Sequence, residues 1–354
     1  MKKTLIALAI ASTATSVSAV ELYKSDIASI DFYGHIRTEL KKDDGDEPTL
    51  RSGSSRTGID ANYRLNDGLT LQGKVEFGLR DEGAMTVRNH ILGFKTDDYG
   101  TLSLGKQWVI SDDAWGADYS YFYGGSGLRH ATLSKAVHNS LIKYTYDADN
   151  YWIKANYGVD SDNKEQELIE LYAGVSFGDL SFHAGAGKNT DKNFEVGKHK
   201  VAVNGDDKVT VDQKVTHDLT NTYYQLTTEY KLGSGVIGFT YYNASIESNT
   251  SDWYIDEDAF SLGGKFKVAD KTSVYAGYEF TQYKTNVNNV KNEDFTNAYL
   301  GAEYLIASWA RIYAEYGYRD GSTLGYSNQA SDTQVAAKKF DSENRFAIGA
   351  RVYW

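Results

Sequence analysis

The 354-residue sequence has no cysteine, one proline and two methionines. Without cysteine there can be no disulfide scaffold, no thiolate-bound metal and no thiol nucleophile. With a single proline almost every backbone donor is kept, so long unbroken hydrogen-bonded ladders are open to the chain. Apolar runs of the roughly 20 residues that a spanning helix needs are missing beyond the first 19 residues. At a mean hydropathy of -0.50 a polytopic helical membrane protein is excluded. Positive charge is short too: 37 Lys and Arg against 48 Asp and Glu give a net charge of -11. Nucleic acid is therefore not an expected partner, since phosphate binding needs concentrated basic residues. What the chain does have is 28 Tyr, 14 Phe, 6 Trp and 33 Gly, a composition that favours strands.

Met1 to Ala19, MKKTLIALAIASTATSVSA, has a basic start, a short apolar run and small residues at its end. This is the pattern of a secretory signal peptide, cleaved after Ala19 to leave residues 20–354 as one domain. Losing Lys2 and Lys3 makes the mature chain two charges more negative.

From Ile30 onward the dominant hydrophobic period is two. In Gly68 to Arg80, Leu69, Leu71, Val75, Phe77 and Leu79 share one face, and Thr70, Gln72, Lys74, Glu76 and Arg80 share the other. Ala310, Ile312, Ala314, Tyr316 and Tyr318 likewise oppose Arg311, Tyr313, Glu315 and Arg319, and the C-terminal Phe346 to Trp354 set opposes Arg345 and Arg351. Several such runs last 10 to 14 residues, the length of a tilted strand that crosses a bilayer.

Seven tight turns alternate with eight long polar connections, including Lys41 to Ser54, Trp108 to Ala136, Thr190 to Leu219 and Gly321 to Lys339. Together they predict an all-β chain: a 16-stranded antiparallel transmembrane β-barrel with short periplasmic turns, long extracellular loops and an inward-folded third loop. Closure follows because an open sheet edge in hydrocarbon leaves unpaired N–H and C=O groups. Phe32, Tyr63, Tyr144, Tyr157, Phe177, Tyr230, Phe266, Tyr304 and Trp354 are expected in interfacial girdles. The competing architecture, a secreted β-sandwich, predicts shorter strands and an apolar interior.

Sixteen strands leave an aqueous channel where eight would leave a filled interior. A bare cylinder sieves poorly, so one loop should narrow it. The third connection, 108–136, is the candidate: it combines Asp112, Asp113 and Asp118 with Trp108, Trp115, Tyr119, Tyr121, Phe122 and Tyr123, then a Gly-rich stretch and Arg129. Folding inward would stack its rings on the wall and bring its carboxylates into the pore. The alternative is a loop packed on neighbouring loops or on a partner subunit.

Six segments in order, VELYKSDIASIDFYGHIRTEL, SSRTGIDANYRL, TVRNHILGF, YGTLSLGKQ, NSLIKYTYD and RFAIGARVYW, resemble the trimeric general porins of Gram-negative outer membranes, particularly those of vibrio-like bacteria. The resemblance implies a homotrimer, contact with outer-membrane lipid and lipopolysaccharide, and a basic wall facing the acidic third loop. Arg56 and Arg88 fall on the family's wall-arginine positions, and parity directs both inward with Asp60 and His90 beside them. His35 stands where relatives often carry Lys, Arg37 follows on the same face, and Arg129 is a further member. The loop has SDDAWGADYS where many relatives have Pro-Glu-Phe-Gly-Gly, so all three aspartates remain candidates for the narrowest point.

The expected function is passive diffusion of ions and small hydrophilic solutes, mildly cation-selective because rings of carboxylates favour cations. A sugar-preferring channel, with Trp115, Tyr119 and Tyr121 as stacking surfaces, is the alternative. Outer-membrane enzyme and adhesin readings are more distant. The seven histidines form no HExxH motif, and only His130 and His138 flanking Ser134 suggest a nucleophile. No cofactor or metal is expected, since Asp43, Asp44, Asp46 and Glu47 lack the full calcium-loop pattern.

Overall fold

Alternation over a dozen residues gives each segment one apolar and one polar face, and the computed structural model shows how such segments satisfy their edges. It describes residues 19–79, 85–114, 116–125, 136–159, 166–203, 206–286, 294–326 and 335–354, with side chains left undescribed at 193–217 and 323–338. The signal segment 1–18, Trp115, Arg129, His130 and Ser134 lie outside the described residues.

The strands in chain order are β1 (Val20–Lys24), β2 (Ala28–Lys42), β3 (Thr49–Ser52), β4 (Ser55–Asn66), β5 (Leu69–Leu79) and β6 (Met85–Thr96). Next come β7 (Gly100–Trp108), β8 (Val137–Asp147), β9 (Tyr151–Gly158), β10 (Gln166–Phe177), β11 (Leu180–Val203) and β12 (Asp206–Leu232). The last six are β13 (Gly235–Ser248), β14 (Tyr254–Ala269), β15 (Thr272–Thr285), β16 (Phe295–Ala307), β17 (Ala310–Tyr326) and β18 (Val335–Tyr353). One helical turn, α1 (Ile110–Asp113), follows β7.

Sixteen strands form the antiparallel ring, and β18 closes it on β2 through a register running from Tyr353 opposite His35 to Phe346 opposite Lys42. β1 and β3 are accessory. β3 pairs with upper β2, while β1 pairs with lower β2 and prolongs the line of β18, whose Trp354 exchanges backbone hydrogen bonds with Gly34 at 3.0 and 3.2 Å. The closed ring leaves no strand edge to lipid.

Outward positions are apolar and exposed, as at Leu171 (60%) and Leu300 (60%), whereas Glu170 and Tyr299 beside them point in and are buried. Tyr63, Phe177, Tyr230 and Tyr304 are exposed near the short turns, and Tyr157 is exposed at the other end of its strand. The tyrosine surplus has a second home that alternation alone did not assign: Tyr172, Tyr223, Tyr242, Tyr275, Tyr299 and Tyr313 face inward and are buried. Tyr275 lies across from Gly301 and Tyr299 across from Gly277, each ring filling the space over its glycine. A Cβ at either glycine would collide with that ring. These rings and the third loop form the molecule's main core, which includes Ala117, Tyr119, Tyr123, Val236, Tyr275 and Tyr299.

Three expectations need correction. The stretch from Thr190 to Leu219 is a continuation of β11 and β12, paired out to Val203 and Asp206, in place of a loop. β17 and β18 likewise extend into the last long connection, reaching Tyr326 and Val335. His90 does not face the lumen: β6 carries a bulge, with Glu76 opposite Asn89 and Phe77 opposite Val87, so one extra residue sits at Arg88. Arg88 and Asn89 both turn inward, and His90, opposite Val75, is exposed on the outer face.

Candidate pore and its charged lining

The third connection leaves β7 at Trp108 and is gathered at its base by a Val109 N–H bond to the Ala136 carbonyl, 2.9 Å. A helix start leaves backbone N–H groups without intrahelical partners. Here the first two, of Ile110 and Ser111, donate to the Glu170 carboxylate of β10 at 2.6 and 3.1 Å. Asn156 and Tyr223 also donate to Glu170, so this buried side chain accepts from the loop and from two wall residues at once.

From that anchor the loop crosses the inner wall strand by strand. Gln225 donates to the Ala114 carbonyl (3.0 Å), Ala117 N–H donates to Thr240 (2.8 Å), and Ser261 donates to the Ala117 carbonyl (3.1 Å). Tyr119 N–H meets the Tyr299 hydroxyl (2.9 Å), and the Tyr119 hydroxyl donates to Glu229 (2.6 Å). At the tip, the N–H groups of Tyr121 and Tyr123 each donate to Glu315 at 2.7 Å, and Gly125 N–H donates to Glu279 at 2.6 Å. The described part of the loop is thus folded inward and fixed along β10 to β17, leaving β4 to β7 as the opposite wall.

The sequence candidates occupy different places in this arrangement. Asp112 is half-buried, and burial, then the neighbouring Asp113, push its carboxyl up to about 8 against the pull of Arg88 and Lys143. Asp113 is paired with Lys143 of β8 at 2.5 Å. Asp118 lies inside the loop–wall contact, accepts the Ser120 N–H at 2.9 Å, and is raised by burial. Tyr119 is buried, and Tyr121 is stacked on Tyr313 with ring centroids 4.0 Å apart.

On the basic side, Arg88 and Arg56 share Glu76 at 2.9 and 3.8 Å, and Arg88 lies 4.7 Å above the Trp108 ring. Arg37 pairs with Glu39 and donates to the Tyr121 carbonyl at 2.9 Å, which ties the loop tip to β2. His35 donates from Nε2 to the Ser54 carbonyl at 2.9 Å, with Tyr353 edge-on to its ring. Residues not singled out in the sequence complete the site: Glu170, Glu279 and Glu315 as loop anchors, and Arg311, Arg351 and Lys265 on the wall. Their inward parity was readable. That the loop would lie over them was not.

The molecule is thus a sixteen-stranded barrel with one connection folded against its inner wall and charged side chains on the remaining lumen face. A family model described as Gram-negative porin matches residues 4–324. The chain belongs to the Gram-negative porin family. The porin-like protein H of Photobacterium profundum is 28% identical over 342 residues, 92% of this chain and 98% of that protein. The monosaccharide porin of Halomonas sp is 25% identical over 382 residues, 99% of this chain and 90% of that protein. Among solved structures, in-vitro folded OmpT of Vibrio cholerae is 56% identical, with a TM-score of 0.84, over 95% of this chain and all of that one. Its trimer form matches with a TM-score of 0.83 and 56% identity over 93% of this chain and 100% of that one. This porin is therefore an outer-membrane channel protein of the passive-diffusion class and no enzyme. Among the described residues no group of three or more metal-binding side chains converges.

Proposed function

We propose that this porin is a general diffusion channel for ions and small hydrophilic solutes, mildly cation-selective, and works as a homotrimer set among outer-membrane lipid and lipopolysaccharide. The observation that carries the reading is the third loop held to β10–β17, across the lumen from the wall that carries Arg56 and Arg88. The mature chain, two charges more negative than the -11 of the full sequence, attracts cations toward the channel as a whole. The preference is mild because the loop's acids are largely spent: Asp113 is neutralised by Lys143, Asp118 is enclosed, and Asp112 is mostly protonated at neutral pH. The OmpT trimer form supports the assembly.

Reversal potentials across planar bilayers in a KCl gradient test the selectivity. A modest cation preference at neutral pH is expected, and an anion preference overturns it. A sugar-preferring channel draws support from the name of the Halomonas relative. Against it, Tyr119 and Tyr121 present no free ring face for stacking, since the first is buried and the second packed on Tyr313. Current block by oligosaccharide at micromolar concentration, lost in Trp115→Ala, would favour the sugar reading.

A further inference from the structure

The outer face of the barrel is hollowed between β13 and β16. One register line across these four strands reads Ile237, Gly264, Ala276 and Leu300, two small side chains between two large ones. Directly opposed residues share a face, so all four belong to the outward set. The next outward line toward the long connections has Leu262 opposite Tyr278, and the next toward the short turns has Phe266 opposite Val274. These side chains enclose a trough of about 500 Å³ whose floor is the backbone around Gly263 and Gly277.

The trough has one low end. On the β13 side the Phe266 ring lies over Gly235 and closes it, whereas on the β16 side the residue opposite Val274 is the exposed Ala302. Beyond Ala302, Tyr304 stands opposite Thr272, and the exposed Lys271 of the next turn donates to the Ile306 carbonyl at 3.3 Å. That bond holds an ammonium with three donors at the rim below the trough, beside the exposed rings of Tyr304 and Trp309. At the height of the trough the surroundings are hydrocarbon, and an unfilled space there forfeits dispersion contacts. An acyl chain gains no hydrophobic free energy on entering it, because lipid tails are as apolar as leucine. What selects one lipid among many is therefore the headgroup, and an ammonium at a membrane surface attracts a phosphate. A phospholipid carries both parts on one molecule, tail toward the trough and phosphate toward the rim.

We propose that the Gly264–Ala276 trough seats one acyl chain of a phospholipid from the leaflet on the short-turn side, with the lipid phosphate on Lys271, as a single defined site on each subunit. The site lies on the outer face, so its failure leaves the channel reading untouched.

The test is native mass spectrometry of the refolded mature protein released from detergent, titrated with dioleoyl phosphatidylglycerol or with dioleoylglycerol, which has the same tails and no phosphate. For the wild type we expect one phosphatidylglycerol per subunit, held more tightly than any further copy and more tightly than dioleoylglycerol. Lys271→Gln should weaken that first binding about five-fold, the worth of one lysine at a membrane surface, and Lys271→Arg should keep it. Ala276→Leu fills the trough from an outward position and should weaken binding of both lipids, whereas Ala173→Leu on the outer face of β10 should change neither. Should Ala276→Leu fail to fold, the Lys271→Gln and Lys271→Arg pair still decides the headgroup contact. Equal retention by wild type, Lys271→Gln and Ala276→Leu overturns the site, and so does equal retention of phosphatidylglycerol and dioleoylglycerol by the wild type. Trimers that fall apart in Ala276→Leu while lipid binding stays unchanged would make this face a contact between subunits and overturn it as well.

Discussion

The Glu315 carboxylate on β17 accepts the backbone N–H of Tyr121 at 2.7 Å, across 194 residues of sequence. The N–H of Tyr123 and the hydroxyl of Tyr275 reach the same carboxylate at 2.7 and 3.1 Å. With the Phe122 N–H at 3.3 Å from it as well, one wall side chain fixes three consecutive residues of the constricting loop. The amide of Glu315→Gln retains one acceptor but turns an NH2 toward backbone donors, and leaving such donors buried without partners costs about 1–3 kcal/mol each. The expected outcome is a noisier open channel with a broader spread of conductance levels in single-channel records. The temperature at which the barrel unfolds should change little, because the strand ladder is untouched.

Asp112 makes selectivity depend on pH. Its carboxyl titrates near 8, above the ordinary 3.8, so the group gains its negative charge as pH rises through about 8. The cation-to-anion permeability ratio should rise between roughly pH 7 and 9, and Asp112→Asn should flatten that rise. The stability sign is opposite. A carboxyl whose folded value is raised contributes stability that is fully present below its unfolded value and lost as pH rises through its folded value. The wild type should therefore lose thermal stability relative to Asp112→Asn from about pH 4 to 8.

The reciprocal Tyr–Gly pairs between β15 and β16 predict a cost for the smallest substitution. At Gly277 an added methyl meets the Tyr299 ring, whose hydroxyl also holds the Tyr119 N–H at 2.9 Å. Overpacking a close contact of this kind costs about 1–3 kcal/mol. Gly277→Ala should lower the barrel's unfolding temperature and, by displacing Tyr299, loosen the loop as well. A change in neither quantity would show that the wall yields around the new methyl.

Most of the barrel could be read from the chain because alternation, strand length and turn residues are local. Glu76 and Val75 took opposite faces on parity alone. That rule failed at His90, because one extra residue at Arg88 reverses every later position, and nothing in the Arg88-Asn89 pair marks a bulge. Tyr275 and Glu315 lie on the polar face by the same rule, yet neither is a simple lumen residue, since the loop packs on them. Inward direction is a property of a strand. Coverage by a loop more than 100 residues away in sequence is a property of the closed ring. The same distinction separates the three loop aspartates, which are alike in sequence and different in place.

That difference gives a test in which equal changes of formal charge should have unequal effects. Asp112→Asn removes the one carboxyl of the three that is neither ion-paired with Lys143, as Asp113 is, nor enclosed like Asp118, so at pH 9 it should give the largest shift toward anions. Asp113→Asn releases Lys143, adding a positive charge to the wall, and should shift selectivity in the same direction at pH 7, where Asp112 is largely protonated. Asp118→Asn acts on a buried group that meets Ser120 and the Gly124 region, so it should disturb loop order and open-channel noise with almost no change in reversal potential. Three equal shifts would mean that the lumen senses only total charge, and the placement of Asp118 within the loop–wall contact would then be refuted by measurement.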